Sequence, residues 1–128
     1  MMNAKLYLTI AAIVALLYGL GFVLIPGGLA ALYGVAPEPD IKLTLRFFGA
    51  TLLALGVVEW FAKDFRDWEA VRGVLIAGLV GNAVGCVVNL RGTFLGLMNG
   101  LAWSSTLVYV LLLVGGLYCL STGPRKSA

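Results

Sequence analysis

The stretch LYLTIAAIVALLYGLGFVLI, residues 6–25, carries no charge and meets its first proline only at Pro26. Twenty helical residues at 1.5 Å each span about 30 Å, the thickness of a bilayer's hydrocarbon core. A cleavable signal peptide has an apolar core of only about 7–15 residues. The run therefore predicts a retained membrane helix, flanked by the single charge of Lys5.

Reading onward, Pro26-Gly27-Gly28 ends this helix by removing a donor and loosening the backbone. Residues 27–36 are too short to span and read as an interfacial segment, followed by the polar turn Pro37-Glu38-Pro39-Asp40. Further spans are expected at about 43–62, 71–90 and 97–120. The charged loop 63–69 and the turn Arg91-Gly92-Thr93 separate them, and Ser121-Thr122-Gly123-Pro124 stops the last. The expected fold is all-α: residues 1–128 as a single transmembrane domain, an integral membrane four-helix bundle.

Composition agrees. The chain of 128 residues is 61% hydrophobic and 12% charged, against about 25% charged residues in soluble domains. A soluble domain this small has too high a surface-to-volume ratio to hide so much apolar surface. The net charge of +3 comes from scattered basic residues, without the patch that nucleic acid requires. No nucleic-acid partner is expected; the bilayer is, with a homo-oligomer or a larger membrane complex beside it.

The chain has no histidine and two cysteines, Cys86 and Cys119. That removes imidazole-based triads and the commonest haem and metal ligand, and leaves too few thiolates for a zinc site. Neither cofactor nor metal is expected. The cysteines fall at different depths of their spans, too far apart to bridge. Phosphate-binding loops, dinucleotide fingerprints and nucleophile elbows are missing from the sequence, so the chain reads as non-enzymatic.

Orientation follows the basic residues near the span ends. Lys5, Lys63, Arg66, Arg72, Arg125 and Lys126 fall on one side, and Lys42, Arg46 and Arg91 on the other. Four spans put both termini on the same side, here the cytoplasmic face of the inner (cell) membrane.

Small residues mark packing faces, because close backbone approach carries helix association in lipid. Gly73, Ala77, Gly81 and Gly85 recur every four residues in the third span, and Gly78, Asn82, Gly85 and Asn89 form an adjoining stripe. The first stripe is expected to pack the bundle, with homodimerisation as its alternative, and the third span to be its hub. The first span offers Ala11, Ala15 and Gly19, and the second Gly49 and Gly56.

Ionisable and amide groups at membrane depth are the functional candidates. Arg46 either snorkels to the headgroups or turns inward, where Asn82, Asn89 and Asn99 complete a polar pocket. Glu59 precedes Lys63 by four residues, the favourable order for a helical ion pair, with Arg72 nearby. An interfacial cluster of Glu59, Lys63 and Arg72 is expected. Asn82 is assigned to interhelical hydrogen bonding, and Trp60, Trp68 and Tyr7 to the interfacial aromatic belt.

Pro26, Leu29-Ala30-Ala31-Leu32-Tyr33-Gly34 and Leu45-Arg46-Phe47-Phe48-Gly49-Ala50, together with Asn82 in a glycine-rich third span, carry a resemblance. The chain resembles small four-helix bacterial membrane proteins of unassigned function and is similar in general look to DoxX-like proteins. The resemblance covers roughly residues 6–120 and implies the four-helix architecture. The expected function is an accessory, structural or lipid-binding role. The alternative is a small oligomeric transporter with Arg46, Glu59 and Asn82 on its pathway.

Overall fold

The computed structural model describes residues 3–124, so the expected basic tail Arg125-Lys126 lies outside the described residues. In chain order the helices are α1 (Ala4–Leu24), α2 (Pro26–Leu32), α3 (Pro39–Ala62), α4 (Trp68–Phe94) and α5 (Ala102–Thr122). All four long helices are long and apolar enough to cross a membrane. The protein is an all-α, multi-pass membrane bundle.

Local chemistry sets the helix ends. The Asn3 side chain accepts from the Leu6 N–H at 2.8 Å, and Asp67 accepts from the Glu69 N–H at 3.1 Å. Pro26 and Pro39 occupy first helical positions, where a missing N–H costs nothing. Gly34 and Gly96 take φ of +75° and +73°, the left-handed conformation that closes a helix C-terminus. After α4, Gly96 donates to the Thr93 carbonyl and Leu97 to Gly92. Arg91-Gly92-Thr93 is therefore helical and not a turn, since an isolated glycine costs a helix only about 1 kcal/mol. The last span starts correspondingly late, at Ala102 instead of residue 97.

The closest packing joins α1 to α3, which corrects the expectation that the third span is the hub. A Cβ added at Gly49 would stand 2.8 Å from the Gly19 carbonyl oxygen and 2.9 Å from Phe22 Cβ. One added at Gly19 would lie 3.0 Å from the Gly49 carbonyl oxygen, and one at Gly56 would lie 2.8 Å from Leu16 Cγ. These glycines let two backbones meet almost directly.

The α4–α5 pair is held differently. The Tyr109 ring lies against Gly85, where a Cβ would be 2.6 Å from it. The Asn89 amide donates to the Ala102 carbonyl at 3.0 Å and to Thr106 Oγ1 at 2.8 Å. Of the stripe expected to pack the bundle, only Gly85 does so. A Cβ at Gly73 or Gly81 would meet nothing within 4 Å among the described residues, and Ala77 is exposed. The adjoining stripe of Gly78, Asn82, Gly85 and Asn89 is the one that faces inward, because α5 and α3 approach α4 from that side.

The two pairs join at their ends. At one end Tyr7, Leu8, Ala62, Val71, Leu75 and Cys119 form a buried cluster drawn from all four long helices. Tyr7 is 5% exposed and its hydroxyl donates to the Leu112 carbonyl at 2.8 Å; it is a core residue and not part of an interfacial belt. Lys5 and Lys63 both reach Asp64, at 3.2 and 2.6 Å, clamping the α3–α4 loop onto the start of α1. Hydrogen bonds from Lys63 and then Lys5 hold the Asp64 carboxyl below the usual carboxylate range. At the opposite end Asn99 donates from its backbone to Tyr33 and from its amide to Leu32, both at 2.8 Å. Both cysteines are free thiols.

Candidate functional site

Between these closed ends the helix pairs stand apart around a cavity of about 210 Å³. On α3 its wall is Ile41, Leu45, Phe48, Leu52, Leu55 and Glu59. Those positions advance alternately by four and three residues, which keeps them on one helical face. The last position on this apolar stripe is a carboxylic acid.

Glu59 forms the foot of the cavity. It is 4% exposed, and its Oε2 is buried without a hydrogen-bond partner among the described residues. Its Oε1 would be 3.5 Å from a Cβ at Gly78, an ordinary van der Waals contact, so the carboxyl lies against α4 at that glycine. The positions above it follow the same helix turn by turn. Asn82 lines the cavity next, without a hydrogen bond among the described residues; then comes Gly85 under the Tyr109 ring, and then Asn89.

The roof is built by α2. Leu29, Ala30 and Tyr33 line the cavity from this short helix and its cap, and the Tyr33 hydroxyl is hydrogen-bonded to Ser105 Oγ across to α5. Tyr18 stands beside this pair. An aromatic series continues outward, with Tyr18 stacked on Phe22 at 6.2 Å and Phe22 edge-on to Phe48 at 5.2 Å. The segment expected only to lie at the interface thus closes the cavity's far end.

The expected polar pocket is partly brought together. Asn82 and Asn89 line one cavity. Arg46 does not join them: it is exposed, and its Nε donates to the Val23 carbonyl at 3.3 Å. Arg46 continues the α1-facing stripe of Gly49 and Gly56 by one turn, so it meets the final turn of α1, where carbonyls lack helical donors and a cation is favourable. Asn99 serves the tie to Leu32 and Tyr33, and its Oδ1 accepts from the Leu101 N–H at 3.0 Å. Asn82, assigned to hydrogen bonding between helices, makes no such bond among the described residues; it faces the cavity instead.

The expected cluster of Glu59, Lys63 and Arg72 does not form. Lys63 turns to Asp64 at 2.6 Å and lies 4.5 Å from the centre of the Trp60 ring. Arg72 pairs with Glu69 at 3.3 Å. Helical spacing places Lys63 within reach, but its ammonium is taken by Asp64 and the Trp60 ring while the Glu59 side chain turns into the cavity. Among the described residues no lysine or arginine lines the cavity, and no cluster of three histidine, cysteine or acidic groups could hold a metal.

These features define a class: a polytopic helical membrane protein with a partly open apolar cavity, an acidic foot and a tyrosine-lined upper part. No family model, curated protein or solved structure matches the chain.

Proposed function

We propose that the protein binds a small amphipathic molecule drawn from the membrane, holding it between the α1–α3 and α4–α5 pairs without chemical change. The observation that carries this reading is Glu59 at the foot of an otherwise largely apolar cavity, buried with one oxygen unpaired. An unpaired buried polar group costs about 1–3 kcal/mol, and more when charged. Stability alone gives no reason to keep one at the end of an apolar stripe. A ligand that completes its hydrogen bonding does.

Size narrows the ligand. A cavity of about 150 Å³ lined by aliphatic side chains takes up benzene. At about 210 Å³ the site suits one aryl group or short alkyl group with a polar head, and is too small to enclose a two-chain lipid. Catalysis is disfavoured because, among the described residues, the groups nearest Glu59 are engaged or buried: the Tyr7 hydroxyl is donated to the Leu112 carbonyl and the Cys119 thiol is buried beside it. The transporter reading gains from Glu59 and Asn82 sharing a cavity, but it also required Arg46, which sits outside. We place the protein in the cell membrane with both termini in the cytoplasm. The basic residues of the Lys5–Asp64–Lys63 end support this orientation.

Native mass spectrometry from mild detergent tests the reading. Wild-type protein is expected to retain a small ligand at about one per chain, together with or apart from any oligomer. Val108 lines the cavity from α5, and Val108→Phe, which places a phenyl ring there, is expected to lose most of the ligand. A ligand-free wild type, or equal retention by both proteins, would contradict the proposal.

A further inference from the structure

The unpartnered oxygen of Glu59 points to the charge of the ligand. This inference rests on the binding reading above and adds to it the chemical class of what is bound.

From α1 Glu59 faces Tyr7, whose hydroxyl is already donated to Leu112. From α4 it faces Gly78, and the nearest cation lower on that helix, Arg72, is held by Glu69. On α5 the Cys119 thiol lies beside Tyr7, and that helix carries no lysine, arginine or histidine. On its own helix Lys63 is turned to Asp64. The carboxyl therefore has no cationic partner among the described residues, and a buried carboxylate without one takes up a proton or a cation.

The rest of the cavity admits a cation with an apolar body. No basic side chain among the described residues lines it to repel one. Tyr109 lies two turns above Glu59 along the inward face of α4, with Tyr18 and Tyr33 beyond it. Two turns are about 11 Å, beyond the reach of a cation–π contact with an ammonium at Glu59. These rings therefore line the part of the cavity that takes the apolar body of the molecule. Asn82, between the carboxyl and Tyr109, offers its side-chain oxygen as an acceptor.

We propose that the cavity selects lipophilic ammonium cations, each bound at Glu59 in exchange for the carboxyl proton. The exchange balances: a protonated Glu59 and a free cation become a carboxylate–ammonium pair and one released proton.

The test uses the full chain in detergent micelles, with benzyltrimethylammonium and its uncharged isostere neopentylbenzene as probes. They share shape and differ in one charge, and the quaternary nitrogen carries no proton of its own. Binding is measured by equilibrium dialysis between pH 5 and pH 9. Wild type is expected to bind the cation more tightly as the pH rises, by up to about tenfold per unit for a one-proton exchange. Glu59→Gln is expected to weaken cation binding by about tenfold or more and to abolish its pH dependence. The same variant should bind neopentylbenzene as wild type does, which shows that it is folded. If neopentylbenzene binds but the cation does not, or binds Glu59→Gln equally well, the charge selectivity is overturned and the binding reading stands. If cation binding does not vary with pH, the proton exchange is overturned. If neither probe binds, both readings fall.

Discussion

Gly49→Val is expected to destabilise the bundle by about 3 kcal/mol or more, whereas Gly81→Val is expected to change it by less than about 0.5 kcal/mol. The difference does not come from the residue type or the span, since both are glycines within apolar helices. It comes from what a side chain would meet. At Gly49 a Cβ would press on the Gly19 carbonyl oxygen at 2.8 Å and on Phe22 Cβ at 2.9 Å. Backbone cannot rotate away as a long side chain can, so α1 and α3 would have to separate along their length. At Gly81 a Cβ would meet nothing within 4 Å among the described residues. Reversible unfolding in mixed micelles reads both variants. Equal losses would show that α4, and not the α1–α3 pair, carries the closest packing.

The second large effect has the opposite sign. Glu59→Leu is expected to stabilise the protein by about 1–3 kcal/mol, because an apolar side chain of similar length replaces a buried carboxyl with an unpaired oxygen. The same variant is expected to lose its retained ligand. Gain of stability with loss of function is the mark of a residue kept for its chemistry and not for the fold. If Glu59 were instead paired inside the bundle, its replacement would cost about 3–5 kcal/mol, as breaking a buried ion pair does. The sign of the change in the unfolding midpoint decides between the two roles.

Much of this architecture is legible in the sequence. Four apolar runs of membrane length fix the spans, since backbone groups in hydrocarbon must be bonded within their own helix. The helix limits were less legible. Gly92 looked like a turn residue, while the helix ends where Gly96 can adopt a left-handed conformation. The inward face of α4 was visible as the stripe of Gly78, Asn82, Gly85 and Asn89. Its two asparagines set it apart from the neighbouring stripe of Gly73, Ala77 and Gly81, because amides in a membrane helix turn to the bundle interior.

Glu59 is the more instructive case. Its nearest sequence partner, Lys63, suggested a surface ion pair. Yet the positions 41, 45, 48, 52, 55 and 59 share one face, and the first five are apolar. Following that stripe to its end puts the carboxyl on the same helical face as five apolar residues. Arg46 follows the same logic in the other direction. It continues the line of Gly49 and Gly56 past the end of α1, so it meets a helix terminus and not a ligand.

The central claim is that Glu59 presents its carboxyl to a cavity open to apolar molecules. A small hydrophobic carbodiimide tests it most directly, because such reagents modify protonated carboxyls that they can reach from the membrane. Treatment of the purified protein with diisopropylcarbodiimide, followed by peptide mass spectrometry, should label Glu59 in preference to the exposed acids Asp40, Asp64 and Asp67. Benzyltrimethylammonium should protect it, and a water-soluble carbodiimide should reverse the preference. Labelling confined to the exposed acids, with Glu59 untouched by the hydrophobic reagent, would contradict the account.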